Sequence, residues 1–447
     1  VDERVAVLDF GSQYTQLIAR RIRNLSVFCE ILPCDTDIGS LNSPGLMGLV
    51  MSGGPSSVYE KGAPLPDRRI FELGVPILGI CYGMQVIGHM LGGKVAPTGK
   101  REYGRAELHL EKHGKLFKKL RSRLDVWMSH GDRLSRIPPG FEALGSSANS
   151  PYAAIADLGR RIYGIQFHPE VIHTPNGTDM LRNFVFDICG CRGGWTPKSF
   201  VRDSVETIRK KVGKGRVICG LSGGVDSAVT AALIHKAVGD QLTCIFVNNG
   251  FLRKDEAEQV LKTFRARFKG RLRYVDDEKG FLNRLRGIAD PEEKRKAIGE
   301  RFIAVFEKEA KKLGKVDLLA QGTLYPDRIE SRSVRGPSST IKTHHNVGGL
   351  PESMRLKLIE PLEDLFKDEV RNVGRELGLP EAIVARQPFP GPGLAVRTLG
   401  EVTRERLKIL READSIFLEE LKKVGLSTDI AQAFAVLLPV RTVGVMG

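Results

Sequence analysis

The chain has no apolar run long enough to span a bilayer, and no signal-like segment opens it, so a cytoplasmic protein is expected. Cysteine is sparse: seven residues, at positions 29, 34, 81, 189, 191, 219 and 244, odd in number and scattered. Cys189 and Cys191 stand too close together for a Cys-x-x-Cys knuckle and have no second pair downstream. Free thiols in a reducing compartment fit this usage, and a disulfide scaffold does not. RNP-like and zinc-finger signatures are missing as well, although the formal net charge is +15. Such a charge suits nucleic acid and equally suits anionic small substrates such as nucleotides. The basic run Lys262, Arg265, Arg267, Lys269, Arg271, Arg273, interleaved with Phe264, Phe268 and Leu272, reads as a solvated helix face. At 447 residues the chain exceeds what one core can serve, and two or three domains are expected.

The most informative stretch lies mid-chain, at Leu221-Ser222-Gly223-Gly224-Val225-Asp226-Ser227. Arg216 to Leu221 reads as a buried strand, and the Ala-rich Ala228 to Val238 as a helix. Two glycines allow a tight turn between them, and a helix start leaves N–H groups unpaired. Ser222 and Ser227 add hydroxyls, which makes an anion site at the positive end of a helix dipole. The Gly-Lys-Ser/Thr ending of a Walker loop is absent, and no lysine sits within the stretch. Asp226 would repel a bare phosphate unless a metal ion lay between, so the loop suits pyrophosphate with Mg²⁺. The bland alternative is an ordinary Gly-Gly turn. The stretch resembles the PP-loop of ATP pyrophosphatases, which split ATP into a bound adenylate and pyrophosphate. That resemblance implies ATP binding by Ser222, Gly223, Gly224, Val225, Asp226 and Ser227, with Asp226 also facing the metal.

Toward the N-terminus, apolar strands at Val5–Phe10, Val27–Leu32, Leu46–Met51 and Pro76–Ile80 alternate with helical segments. This pattern predicts an open, mainly parallel sheet with its ligands at the strand C-termini. The last of these strands delivers Cys81 within Gly79-Ile80-Cys81-Tyr82-Gly83. A cysteine on a tight, glycine-flanked strand-to-helix turn has the geometry of a nucleophile elbow, and a helix N-terminus lowers a thiol's pKa. A small buried cysteine at a strand end is the alternative. A nucleophile needs a base, and the base an orienting group. His168 and Glu170, in Gly164-Ile165-Gln166-Phe167-His168-Pro169-Glu170, follow a strand and belong at the same sheet edge.

Together with Ser52-Gly53-Gly54-Pro55, these segments make residues 1–190 resemble the class I glutamine amidotransferases. The resemblance implies Cys81 as nucleophile toward the glutamine side-chain amide, His168 as base and Glu170 as its orienter. It places an oxyanion hole at the N–H groups of Gly54 and Tyr82. It gives glutamine binding to Gln85 and to Ser129, His130, Gly131 and Asp132, with a structural role for His130 as the alternative.

Residues 191–197 read as a linker, and 198–386 as the PP-loop domain. The segments Asp290–Lys296, Gln321–Asp327, Lys342–Asn346 and Leu365–Val370 extend the likeness, and the whole chain resembles the glutamine-hydrolysing GMP synthetases. That family implies glutamine, ATP with Mg²⁺ and XMP as substrates. It places Val247 near adenine, Lys367 on the pyrophosphate, and Arg295 and Gln432 on XMP. Lys367 read alone would be a helix-surface residue beside Glu363. Asn248 stands where family members often carry Asp. His344-His345 is read as part of a lid with Arg328–Thr340, since adjacent residues in extended chain point opposite ways. Residues 387–447, with helices expected around Glu401–Val424 and Asp429–Leu438, correspond to the start of a C-terminal α+β domain for dimerisation and XMP binding. Family members continue beyond Val443-Gly444-Val445-Met446, so this domain is expected to be incomplete. The fold class expected is α/β: two open parallel-sheet domains, the second of the adenine-nucleotide α-hydrolase-like type, and the beginning of that third domain. Two rivals remain at this point: another glutamine-dependent ATP pyrophosphatase such as NAD synthetase, and a basic RNA-binding protein without catalysis.

Overall fold

The computed structural model describes residues 3–268, 270–332, 356–426 and 430–440. The chain falls into two compact units, Val1–Thr196 and Pro197–Gly447.

The first unit is built on nine strands: β1 (Arg4–Asp9), β2 (Phe28–Pro33), β3 (Leu46–Met51), β4 (Ile77–Ile80), β5 (Lys94–Leu110), β6 (Arg123–Arg136), β7 (Glu142–Ser146), β8 (Ala154–Asp157) and β9 (Ile162–Ile165). Their order in the sheet is β2-β1-β3-β4-β9-β8-β7-β5-β6. From β2 to β9 the pairing is parallel. These short strands are apolar runs buried almost throughout, as strands covered on both faces must be. From β9 to β6 every pairing is antiparallel. The expected mainly parallel sheet is therefore parallel in one half only. The long β5–β6 ladder needs no crossover helix, so the β–α alternation that signals parallel strands stops there.

Close backbone approach fixes the helix Tyr82–Met90 against the sheet. A Cβ on Gly83 would lie 2.3 Å from the carbonyl oxygen of Met51, and one on Gly79 would lie 2.6 Å from the backbone of Gly83. Both glycines are demanded by contact, because any side chain there would push the helix off β3 and β4.

The second unit carries an all-parallel sheet, β12-β11-β10-β13-β14, made of β10 (Val217–Leu221), β11 (Leu242–Asn248), β12 (Leu272–Asp276), β13 (Leu318–Ala320) and β14 (Lys357–Ile359). Chain order reverses at β10, which has β11 on one side and β13 on the other. Such a reversal opens a crevice at the strand C-termini. The helix Val225–Val238, which follows β10, buries nine of its residues, Ala228, Leu233 and Ile234 among them. The helix Pro291–Lys312 starts with Asp290 accepting from the N–H groups of Glu292 and Glu293 and with proline in its first turn, a strong start signal.

The described residues after 386 share the core of this unit: Leu394, Ala395, Leu407 and Leu410 pack with Ile218, Ile245 and Phe251. The helix expected around Glu401–Val424 is found at Arg404–Lys423. The helix expected at Asp429–Leu438 is not: residues 430–440 are irregular, apart from a bridge between Leu437 and Thr398. Their backbone groups bond elsewhere, with Ala433 N–H donating to Gln387 and Ala435 N–H to Asp414. The basic run at 262–273 also divides, since the helix Glu256–Phe268 ends within it and Arg273 stands on β12. Of the expected lid, Arg328 lies on the helix Tyr325–Arg332. His344, His345 and the rest of Lys342–Asn346 lie outside the described residues, as does Val443–Met446.

Candidate functional site

In the first unit, the chain reverses at Cys81 between β4 and the helix Tyr82–Met90, with φ 52° and ψ −104°. A non-glycine residue in this region is strained by about 1–3 kcal/mol and is held only by its surroundings. The Cys81 N–H donates to Ile165 at the end of β9 over 2.8 Å, which anchors the turn. Its sulfur lies 3.6 Å from the Ser129 carbonyl and accepts from Gln166 Nε2 at 3.7 Å.

His168 arrives from the strand beside β4. Its backbone is locked on both sides, with N–H to Trp127 O at 3.0 Å and its carbonyl accepting from Thr174 Oγ1 at 2.6 Å. Its Nδ1 meets Glu170 Oε1 at 2.7 Å, and both side chains are buried. The tautomer that donates to the carboxylate leaves Nε2 for Cys81. Burial works against a charged ring here, but hydrogen bonds to Cys81 and Glu170 outweigh it and hold the imidazole up to about 10. Tyr14 packs edge-on to the ring, 5.3 Å between centroids. The expected nucleophile, base and orienter are thus in one cluster.

Among the described residues, no acceptor takes the backbone N–H of Gly54 or Tyr82, and Gly54 lies against the Tyr82 ring. Gln85 donates to the Asp132 carbonyl at 2.9 Å, and His130 Nδ1 meets the same oxygen at 3.0 Å. His130 Nε2 faces Glu102 Oε2 at 3.1 Å. Both ring nitrogens are therefore occupied by protein, and His130 braces the Ser129–Asp132 segment of β6, in which Gly131 also lies. The Asp132 carboxylate is held by Ser57 and by Tyr59. Glu102, Tyr59 and Gln166 escaped the reading of the sequence. Gln166 lies two residues from His168 and was within reach of it. Glu102 becomes visible only once the β5–β6 register sets it opposite His130.

Burial pushes up other thiols of the chain, Cys219 to about 12 and Cys34 and Cys191 to about 11.

In the second unit the loop after β10 turns through Gly223, at φ +79°, into the helix Val225–Val238. Ser222 and Ser227 close it, with Oγ to Oγ at 3.1 Å, Ser222 N–H to Ser227 Oγ at 3.2 Å and Ser227 Oγ to the Gly224 carbonyl at 3.1 Å. Lys367 opens the helix Lys367–Glu376 and reaches both oxygens of Asp226, at 2.7 and 2.5 Å. It is therefore a member of the loop site, and the pairing with Glu363 does not form. Val247 is buried near the C-terminal end of β11. Asn248 Nδ2 lies 3.4 Å from the Tyr274 hydroxyl and from Asp276 Oδ1. Arg295 pairs with Glu292, and Gln432 donates to the Pro388 carbonyl. Neither is joined by a described hydrogen bond to the loop or to the other. Among the described residues no cluster of three metal-ligating side chains occurs. Asp226 offers a single carboxylate, the donor set of an ion that arrives on a polyphosphate.

Residues 6–188 match the class-I glutamine amidotransferase family, and residues 198–269 match the NAD synthase family. Across its whole length the chain is 56% identical to a glutamine-hydrolyzing GMP synthase of Brachyspira hyodysenteriae, of which it covers 87%. It is 57% identical over 99% of its length to the protein of that name from Symbiobacterium thermophilum, covering 86% of it. Among solved structures, a Thermoplasma acidophilum protein described as a putative subunit of GMP synthase is 34% identical over 42% of this chain and 94% of its own, with a TM-score of 0.38.

Proposed function

The chain belongs to the glutamine-hydrolysing GMP synthase family, and from that premise we propose that it works through two sites carried on one polypeptide. It makes GMP from XMP at the cost of ATP, with nitrogen drawn from glutamine. In the unit to which residues 1–190 belong, Cys81 attacks the glutamine carboxamide and forms a thioester. His168, oriented by Glu170, carries the proton from sulfur to the leaving ammonia and then assists the attacking water. The N–H groups of Gly54 and Tyr82 receive the tetrahedral oxyanion. Gln85 and residues 129–132 shape the place for the amino acid.

Residues 198–386 form the ATP site in this proposal. The XMP oxygen at C2 attacks the α-phosphate, and the leaving pyrophosphate is taken by the donors of Ser222–Ser227. Asp226 would hold the Mg²⁺ that comes with ATP, and that ion supplies charge neutralisation on the phosphates. Lys367 meets developing negative charge. Val247 lines the adenine side, and Arg295 and Gln432 serve XMP. Ammonia then displaces AMP from C2. Homodimerisation through the C-terminal region and a cytoplasmic location complete the proposal; no described helix is long and apolar enough to cross a membrane.

The observation that carries this reading is the coexistence, in one chain, of the buried Cys81–His168–Glu170 cluster and the serine-closed loop at Gly223. Incubation with ATP, glutamine and either XMP or nicotinate adenine dinucleotide tests it. GMP, AMP and pyrophosphate are expected with XMP only; amidation of the dinucleotide instead would transfer the chain to the other reaction.

A pH dependence follows from His168. The folded chain holds its proton above the ordinary value of 6.5, so the stabilisation is complete below that value and is lost as pH rises through about 10. Glu170→Gln removes one of the groups that hold the proton. The alkaline limb of the glutaminase profile is expected to move to lower pH in this variant, and an unmoved limb would refute the role given to Glu170.

A further inference from the structure

We infer that Arg386 and Glu256 are positioning residues for the pyrophosphate loop, acting by locking the peptide between Gly223 and Gly224. Arg386 NH1 donates to the Gly223 carbonyl at 2.7 Å. Its other terminal nitrogen pairs with Glu256 Oε1 at 2.5 Å, and Glu256 is only 3% exposed. The second oxygen of Glu256 accepts the Arg253 N–H at 2.8 Å, so the carboxylate is itself fixed. A Cβ on Gly223 would sit 3.2 Å from Arg386 NH1 and 3.3 Å from Glu256 Oε1. The pair thus fills the space under the loop and adds a second reason, besides the positive φ, for glycine at 223.

The consequence lies in the peptide plane. In a trans peptide the C=O of one residue and the N–H of the next point in opposite directions. With the Gly223 carbonyl turned to the guanidinium, the Gly224 N–H is turned the other way. It points toward the Ser222 hydroxyl, at a long 3.4 Å, on the side of the serine pair that closes the loop. That N–H is a donor for an anion bound there. Two adjacent glycines offer almost no steric resistance to rotation of their shared peptide. Without the lock, the carbonyl is free to turn into the cradle and present its negative end to the phosphates. Arg386 sets the sign of the loop's field without touching the reacting atoms.

This inference rests on the assignment of the loop to pyrophosphate. Its test compares Arg386→Met, Arg386→Lys and Glu256→Ala with the parent in XMP-dependent pyrophosphate release and in inhibition by added magnesium pyrophosphate. Loss of a charge-assisted bond predicts a rise in the KM for ATP of about tenfold to a hundredfold in Arg386→Met, with a matching loss of pyrophosphate inhibition. Arg386→Lys keeps one donor and is expected to recover part of the affinity; Glu256→Ala should resemble Arg386→Met. Thermal melting of each variant is followed in parallel. A lowered melting temperature with KM and pyrophosphate inhibition unchanged would reduce the pair to a structural brace and overturn the inference. Asp226→Ala serves as the separating control: normal pyrophosphate release in that variant removes the loop assignment itself, whereas its loss beside unaltered Arg386 variants removes only the lock.

Discussion

Cys81→Ala is expected to lose glutamine-driven GMP formation by at least about a thousandfold, as loss of a nucleophile that acts as one unit with its base does. Formation of GMP from added ammonium salts should stay within about twofold of the parent, since nothing at Cys81 takes part in adenylylation. The variant is a clean one. Alanine meets the same backbone strain at φ 52° as cysteine and fits the same space, so the elbow is not relaxed by the change. Its carbonyl still accepts from Gln85 N–H, and its own N–H still reaches Ile165. Steady-state rates with the two nitrogen sources, measured side by side, decide the matter. Equal loss with both would show that one site does both jobs or that the fold had failed, and the two-site proposal would fall.

The second large effect belongs to Asp226→Ala. XMP-dependent pyrophosphate release should fall below detection, at least about a thousandfold, because the substitution deletes the one carboxylate of the loop and strands Lys367. Lys367 now directs its charge at both oxygens of Asp226. Freed from them, it would bind phosphate in a geometry set by nothing else. Asp226→Asn separates the two functions, since an amide keeps one bond to Lys367 without the charge that a metal ion needs. If both variants release pyrophosphate normally, the loop is a turn and no more. Thermal melting beside the parent provides the check that the second unit has folded.

What the residues disclosed in advance was whatever depends on neighbours in sequence. The elbow at Cys81 is local, since strand, glycine, cysteine, glycine and helix lie within a few residues. The loop at Ser222–Ser227 is local for the same reason. Contacts made across the fold stayed hidden. Glu102 meets His130 only because of strand register, and Arg386 meets Glu256 only because the second sheet brings two distant segments under one loop. The apolar spacing of Ile430, Ala433, Phe434 and Leu437 imitates a helix, yet the backbone there is committed to Gln387, Asp414 and Arg397. The antiparallel half of the first sheet was missed because pattern reports that a strand exists and says little about its direction.

The turn at Cys81 has an implication for how this enzyme tolerates change. Its dihedral angles are comfortable for glycine and for no other residue. A lineage or library selected for heat tolerance alone would therefore be drawn to install glycine at this one position, and each such gain in robustness would delete the sulfur. Cys81→Gly is thus expected to melt higher than the parent while losing the sulfur on which the proposed glutamine chemistry depends.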